Sequence, residues 1–174
     1  MNILVTGGAG YIGSATAESL LNAGHSVTVY DSLVSGHRAA VPAGARFIHA
    51  DLADEAALSA ALGGDKFDAV MHFAASIEAG ESMKDPGKFF HNNLVNSLHL
   101  IEAAVETGVK RFVLSSTAAV YQSSDEPLTE ESPLGPTNVY GQTKWMVEQA
   151  LEWYRQIHKL NYAALRYFNA CGAL

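Results

Sequence analysis

The stretch Thr6-Gly7-Gly8-Ala9-Gly10-Tyr11-Ile12-Gly13 follows the apolar run Ile3-Leu4-Val5 and opens directly into a segment with helical periodicity. Its glycines Gly7, Gly10 and Gly13 stand three residues apart. At that spacing the first permits a tight turn, the second lets backbone approach a pyrophosphate, and the third lets helix and strand pack closely. The amides and positive dipole end of the helix N-terminus then hold a phosphate without a basic side chain. Tyr11 and Ile12, at the start of that helix, are expected beside the phosphates.

Working outward, short β-rich runs at residues 3–6, 26–30, 46–49, 69–73, 111–115 and 162–166 alternate with helical patterns at 12–22, 55–62, 89–107 and 139–160. Strand, crossover and strand in repetition call for an α/β protein. The expected architecture is a Rossmann-type doubly wound parallel sheet, with helices on both faces and right-handed crossovers. Residues 1–174 read as a single dinucleotide-binding domain, without internal repeat or linker. The Ser-, Pro- and acid-rich segment 122–138 reads as an ordered loop near a site.

The second strand ends at Asp31, about twenty residues past the glycines, where a carboxylate accepts hydrogen bonds from a ribose diol. A carboxylate repels a 2′-phosphate, and Ser32-Leu33-Val34-Ser35-Gly36 bring no Arg before Arg38. The expected cofactor is therefore NAD rather than NADP.

Tyr140-Gly141-Gln142-Thr143-Lys144 sets a phenol and an ammonium one helical turn apart, on one face. An ammonium beside a phenol stabilises the phenolate and is expected to draw its pKa down from about 10. Such a Tyr takes a proton from an alcohol whose carbon gives hydride to a nicotinamide. The fifth strand ends in Ser115-Ser116-Thr117, and hydroxyls at the carboxyl end of such a strand face the ligand crevice. Thr117 or Ser116 is placed to bond the substrate oxygen.

Composition narrows the partners. A net charge of -7 disfavours nucleic acid, which needs clustered Lys and Arg. No apolar stretch nears the ~20 residues of a membrane span, and the N-terminus lacks the basic and apolar regions of a secretion signal. The one cysteine, Cys171, suits a reducing compartment, so a cytoplasmic location is expected. No metal site is expected.

These motifs together resemble the extended short-chain dehydrogenase/reductase family. The likeness runs through TGGAGYIG, Asp31, Asp51-Leu52, HFAA at 72–75, Asn92-Asn93, SSTAAVY at 115–121, YGQTK and LRYFNACGA at 165–173. Gly80-Glu81-Ser82, AAVY and RYFN look most like the branch that interconverts UDP-glucose and UDP-galactose at C4.

The resemblance implies that Ser32, Asp51 and Leu52 lie at the adenosine and that Phe73, Ala74, Ala75, Asn92 and Ser115 line the cofactor. It makes Tyr140 the base, Thr117 its relay and Lys144 its cofactor-binding partner. Tyr167 and Phe168 border the nicotinamide, and Asn169 touches a nucleotide-sugar, most simply a UDP-hexose. The implied reaction is an epimerisation through a transient 4-keto sugar, with hydride lent to NAD and returned.

Other nucleotide-sugar chemistry on this scaffold, dehydration or decarboxylation, is the alternative, as is an NAD-binding module without turnover. Ala118-Ala119 stand where dehydratases carry an acid pair, and Ile77 stands where many epimerases carry Lys. The sequence ends at Leu174, so a smaller substrate domain is expected to be largely absent and the exposed sheet to favour self-association. Trp145, Met146, Gln149 and Trp153 on the last helix are expected at a homodimer contact.

Overall fold

The computed structural model describes residues 1–172. Ala173, the last residue of the LRYFNACGA element, and Leu174 lie outside the described residues. Six parallel strands form one sheet in the order β3-β2-β1-β4-β5-β6. They are β1 (Asn2–Thr6), β2 (Ser26–Asp31), β3 (Arg46–His49), β4 (Ala69–His72), β5 (Arg111–Ser115) and β6 (Asn161–Leu165). The chain steps outward from β1 to β3, returns to β4 on the other side of β1, and steps outward again. Between β1 and β4 the two windings diverge, and that point is where open α/β sheets hold ligands.

Alternation along β1 sorts the core. Ile3 and Val5 face α1 (Tyr11–Asn22), packing with Val27, Val29 and the buried Ala17. Leu4 faces the other side, with Val70, Phe112 and Leu114, against Leu58 and Leu62 of α2 (Glu55–Gly64). Leu100 and Ile101 of α5 (Asn96–Glu106) and Val147 and Leu151 of α6 (Val139–His158) complete that layer. Helices thus cover both faces. Truncating a fully buried leucine such as Leu100 to Ala costs about 2–5 kcal/mol in such a layer.

The helical pattern at 89–107 is not one helix. α3 (Ala79–Ser82) and α4 (Pro86–Phe89) precede a wider π turn at Phe90–Val95, and α5 begins only at Asn96. The π turn inserts a residue into the helical repeat, a distortion common at functional sites. Here it carries Asn92 and Asn93. The loop at 122–138 is ordered by an antiparallel bridge between Tyr121 and Leu134 and by Gln122 N–H donating to the Pro133 carbonyl at 2.9 Å. Among the described residues no helix is long and apolar enough to cross a membrane.

Candidate active site in the cleft

A cavity of about 760 Å³ opens over the carboxyl ends of all six strands. Its floor begins at the glycine turn. Gly7 has φ +72, a left-handed conformation that disfavours any side chain, and a Cβ there would strike the Phe73–Ala74 backbone. A Cβ on Gly13 would fall on the Gly7 carbonyl. The turn is therefore wedged between α1 and the end of β4, with Gly10, Tyr11, Ile12 and Gly13 all on the wall. Gly10 caps α1 without a side-chain hydrogen bond, and the first turn holds no acid. The free amides suit a phosphate.

Asp31 stands beside this turn. One carboxylate oxygen accepts from Ala9 N–H at 2.9 Å and the other from Leu33 N–H at 2.8 Å, which fixes the group while leaving lone pairs toward the cleft. Ser32, Asp51 and Leu52 continue the wall, and the Tyr30 hydroxyl donates to the Asp51 carbonyl at 2.9 Å. Arg38, the first Arg after Asp31 in the chain, lies over the Phe47 ring, 4.6 Å from its centroid, and is not on the wall. This end of the cleft carries acid and no cation, which suits a ribose diol and not a 2′-phosphate.

Phe73, Ala74 and Ala75 follow at the end of β4. Asn92 reaches them from the π turn, its amide donating to Ser76 Oγ at 3.1 Å. Asn93 turns inward, accepting from Ser76 N–H at 2.8 Å and donating to the Ser76 carbonyl at 2.9 Å and to Thr143 Oγ1 at 3.3 Å. Asn92 also donates to Asn93 Oδ1 at 3.1 Å, so the two asparagines of the π turn clamp Ser76 together.

At the far end α6 presents Tyr140. Two contacts set its start: Asn138 Oδ1 accepts from Gly141 N–H at 2.8 Å, and the buried Ser82 Oγ accepts from Tyr140 N–H at 3.1 Å. Gly141 presses so closely on Ala119 that a Cβ would collide with its carbonyl, bringing Tyr140 to Thr117. Thr117 Oγ1 accepts from Ala119 N–H at 3.1 Å, which leaves its own hydrogen for the cleft. Ser116 instead turns away to Glu148, so of Ser116 and Thr117 only Thr117 lines the cleft. Ser115 lines the cleft with its hydroxyl bonded to that of Tyr167. Phe168 and Asn169 complete this end.

Lys144 is 2% exposed and, like Ser116, does not line the cavity. Burial pushes its ammonium down to about 8. The expected lowering of the Tyr140 pKa by Lys144 is not observed. Burial moves the phenol above its ordinary value; the Thr117 hydroxyl beside it pulls down, and Tyr167 pushes up. Desolvation at this depth outweighs the hydroxyl's help, and the ammonium contributes nothing resolvable.

Sequence reading missed Tyr30, Ser35, Gly36, Ser76 and Lys88 on the wall. Lys88 stands one helical turn before Asn92, a spacing that could have found it. Ser82, which fixes the start of α6, belongs to a run singled out only by resemblance.

Residues 3–174 match the model of the NAD dependent epimerase/dehydratase family. The chain belongs to that family. Family relatives include a UDP-glucose 4-epimerase of Lacticaseibacillus casei, 46% identical over 100% of this chain and 53% of its own length. The crystal structure of UDP-glucose 4-epimerase from Brucella ovis in complex with NAD superposes with TM-score 0.95 at 42% identity, over 99% of this chain and 53% of that one. That of the Thermotoga maritima enzyme with UDP-glucose gives 0.92 at 34%, over 96% and 55%. The chain spans about half the length of the curated relatives it matches.

Proposed function

We propose that this chain binds NAD and carries the groups that oxidise and re-reduce C4 of a UDP-hexose, interconverting UDP-glucose and UDP-galactose. One observation carries the reading. Asp31 and the uncapped start of α1 lie at one end of a cavity whose other end holds Thr117 and Tyr140, with the buried Lys144 one helical turn behind Tyr140. The relatives' names support the choice of UDP-hexose.

Bound NAD supplies a cationic nicotinamide that accepts a hydride and later returns it. Gly10, Tyr11 and Ile12 would hold its pyrophosphate, Asp31 a ribose diol, and Lys144 the oxygens of the second ribose. Tyr140 takes the proton of the sugar 4-hydroxyl, directly or through Thr117, as C4 becomes a carbonyl. Asn169 borders the 4-keto sugar, which turns before Tyr140 returns the proton on its other face. The raised phenol pKa of the free site makes Tyr140 a ready acid for this return and requires a nearby cation for the first step.

We also read the active form as a homodimer in the cytoplasm. Trp145, Gln149, Trp153 and Ile157 fall at four-residue steps on α6, and Trp153 and Ile157 are 63% and 65% exposed. The lone cysteine supports a reducing compartment.

The test is incubation of the chain with NAD and UDP-galactose, following UDP-glucose. Tyr140→Phe is expected to lower turnover by about 10²–10⁴-fold, the usual contribution of a general acid–base group, while NAD still binds. Bound NAD without product sinks the epimerase reading and leaves an NAD-binding module; absence of NAD binding sinks the whole.

A further inference from the structure

Lys88 is the one cationic residue among those that line the cleft. Its ammonium donates to Glu81 Oε1 at 2.8 Å, and both side chains keep about half their surface in water, at 47% and 45%. Asp85, whose carboxylate accepts from Lys88 N–H at 3.2 Å, adds a second nearby negative charge. Glu81 and Asp85 together hold Lys88 firmly protonated. An exposed pair of this kind contributes little to stability, so its placement on a ligand wall asks for another reason.

Geometry supplies one. Lys88 lies in α4, which passes into the π turn, four residues before Asn92, and both line the cavity. Asn92 is tied to Ser76 at 3.1 Å, so Lys88 sits one turn from the segment Ser76-Ile77-Glu78, which brings no cation of its own. A pyrophosphate diester carries two negative charges, whereas a helix N-terminus offers the equivalent of about half a positive one. The remaining wall charges, Asp31 and Asp51, are negative. Lys144 is buried and is not on the wall.

We infer that Lys88 is a binding residue for the pyrophosphate of a nucleotide in the cleft, and that Glu81 is the counter-ion that holds its ammonium until the ligand arrives. The exchange moves one ammonium from a carboxylate to a phosphate oxygen and leaves Glu81 to water. A long flexible stem and exposed partners make the exchange inexpensive. This assignment rests on the reading that the cleft holds NAD and a UDP-hexose, both of which carry a pyrophosphate.

Calorimetric titration of the full chain distinguishes the sources. NAD and AMP are titrated into the free protein, and UDP-glucose into protein saturated with NAD, for the unmodified chain, Lys88→Gln and Glu81→Gln. Lys88→Gln is expected to weaken either NAD or UDP-glucose by about tenfold at low ionic strength, the loss of one charge-assisted hydrogen bond, with AMP unchanged. Whichever ligand weakens identifies the pyrophosphate. Glu81→Gln is expected to tighten that same ligand, and salt at about 0.5 M to shrink both effects. NAD and UDP-glucose both staying within about twofold of the unmodified chain, the behaviour of an inert exposed pair, would overturn the assignment while leaving the proposed function standing. An unmodified chain that binds neither overturns both. Lys88 and Glu81 are exposed, so these variants are expected to fold, and unchanged thermal melts check it.

Discussion

Ser97 donates its hydroxyl to the Asn93 carbonyl at 2.5 Å, so the facing His72 Nε2, 2.8 Å away, must carry the hydrogen between them. His72 Nδ1 is then left to accept from Thr6 Oγ1 at 2.7 Å. One neutral tautomer satisfies every partner, and it ties the strand before the glycine turn to the π turn. Burial, and secondarily the Lys144 ammonium, lower the His72 pKa to about 3. Between about 6.5 and that value the unfolded chain holds a proton on His72 that the folded chain refuses. Stability from this residue is therefore complete above pH about 6.5 and lost as pH falls. The expected loss is about 2 kcal/mol between pH about 7.5 and about 5, at about 1.4 kcal/mol per unit. His72→Gln should be less stable at neutral pH yet lack this part of the slope, which urea unfolding at several pH values measures. Parallel pH curves for the two proteins would show that His72 titrates normally.

At the scale of elements, α6 does more than deliver Tyr140. Glu148, one turn beyond Lys144 and 6% exposed, accepts from Ser116 Oγ and from the Arg166 guanidinium at 2.5 Å through Nη2 and 3.0 Å through Nε. Arg166 also donates to the Tyr121 hydroxyl at 3.2 Å. Ser116 adjoins Thr117 and Arg166 adjoins Tyr167, so one carboxylate fixes the ends of β5 and β6 from behind the site. Glu148→Gln keeps the shape and removes the charge, leaving a partly buried Arg166 unpaired. The expected cost is about 2–3 kcal/mol, below the full range for a buried pair because Arg166 keeps 23% of its side chain in water. A cost under about 0.5 kcal/mol in urea unfolding would place the pair with exposed ones. None of this was legible in the sequence, since the partners are 18 and 32 residues apart and join only in the fold. What was legible had a local signature. The glycine spacing, Asp31 and the Tyr140–Lys144 turn are chain-local and all reach the cleft or its underside, and all six strands were read to within one residue at each end. The π turn was not legible, because its apolar spacing is that of the helices around it and the extra residue is selected by Asn93 bonding to Ser76.

Among the described residues, two uncovered surfaces at the β6 side of the molecule differ in what they can join. One is the outer strand β6, where Leu165 is 44% exposed on the sheet face shared with Val113. Open strand edges and faces of this kind take further strands or helices of any origin and specify no partner by themselves. The other is the α6 stripe. A helix stripe with two large apolar residues at one-turn spacing is self-complementary across a two-fold axis, since each copy offers the other the same ridge. Trp153 and Ile157 stand proud of the core contacts made by Val147 and Leu151 on the opposite side of the same helix. Sedimentation of the unmodified chain at micromolar concentration should therefore report twice the chain mass. Trp153→Glu with Ile157→Glu puts like charges against each other at the two-fold axis and is expected to give the monomer, with an unchanged far-ultraviolet spectrum because neither side chain supports the core. If the double variant sediments as the unmodified chain does, α6 is not the contact, and an association that persists is carried by the open sheet.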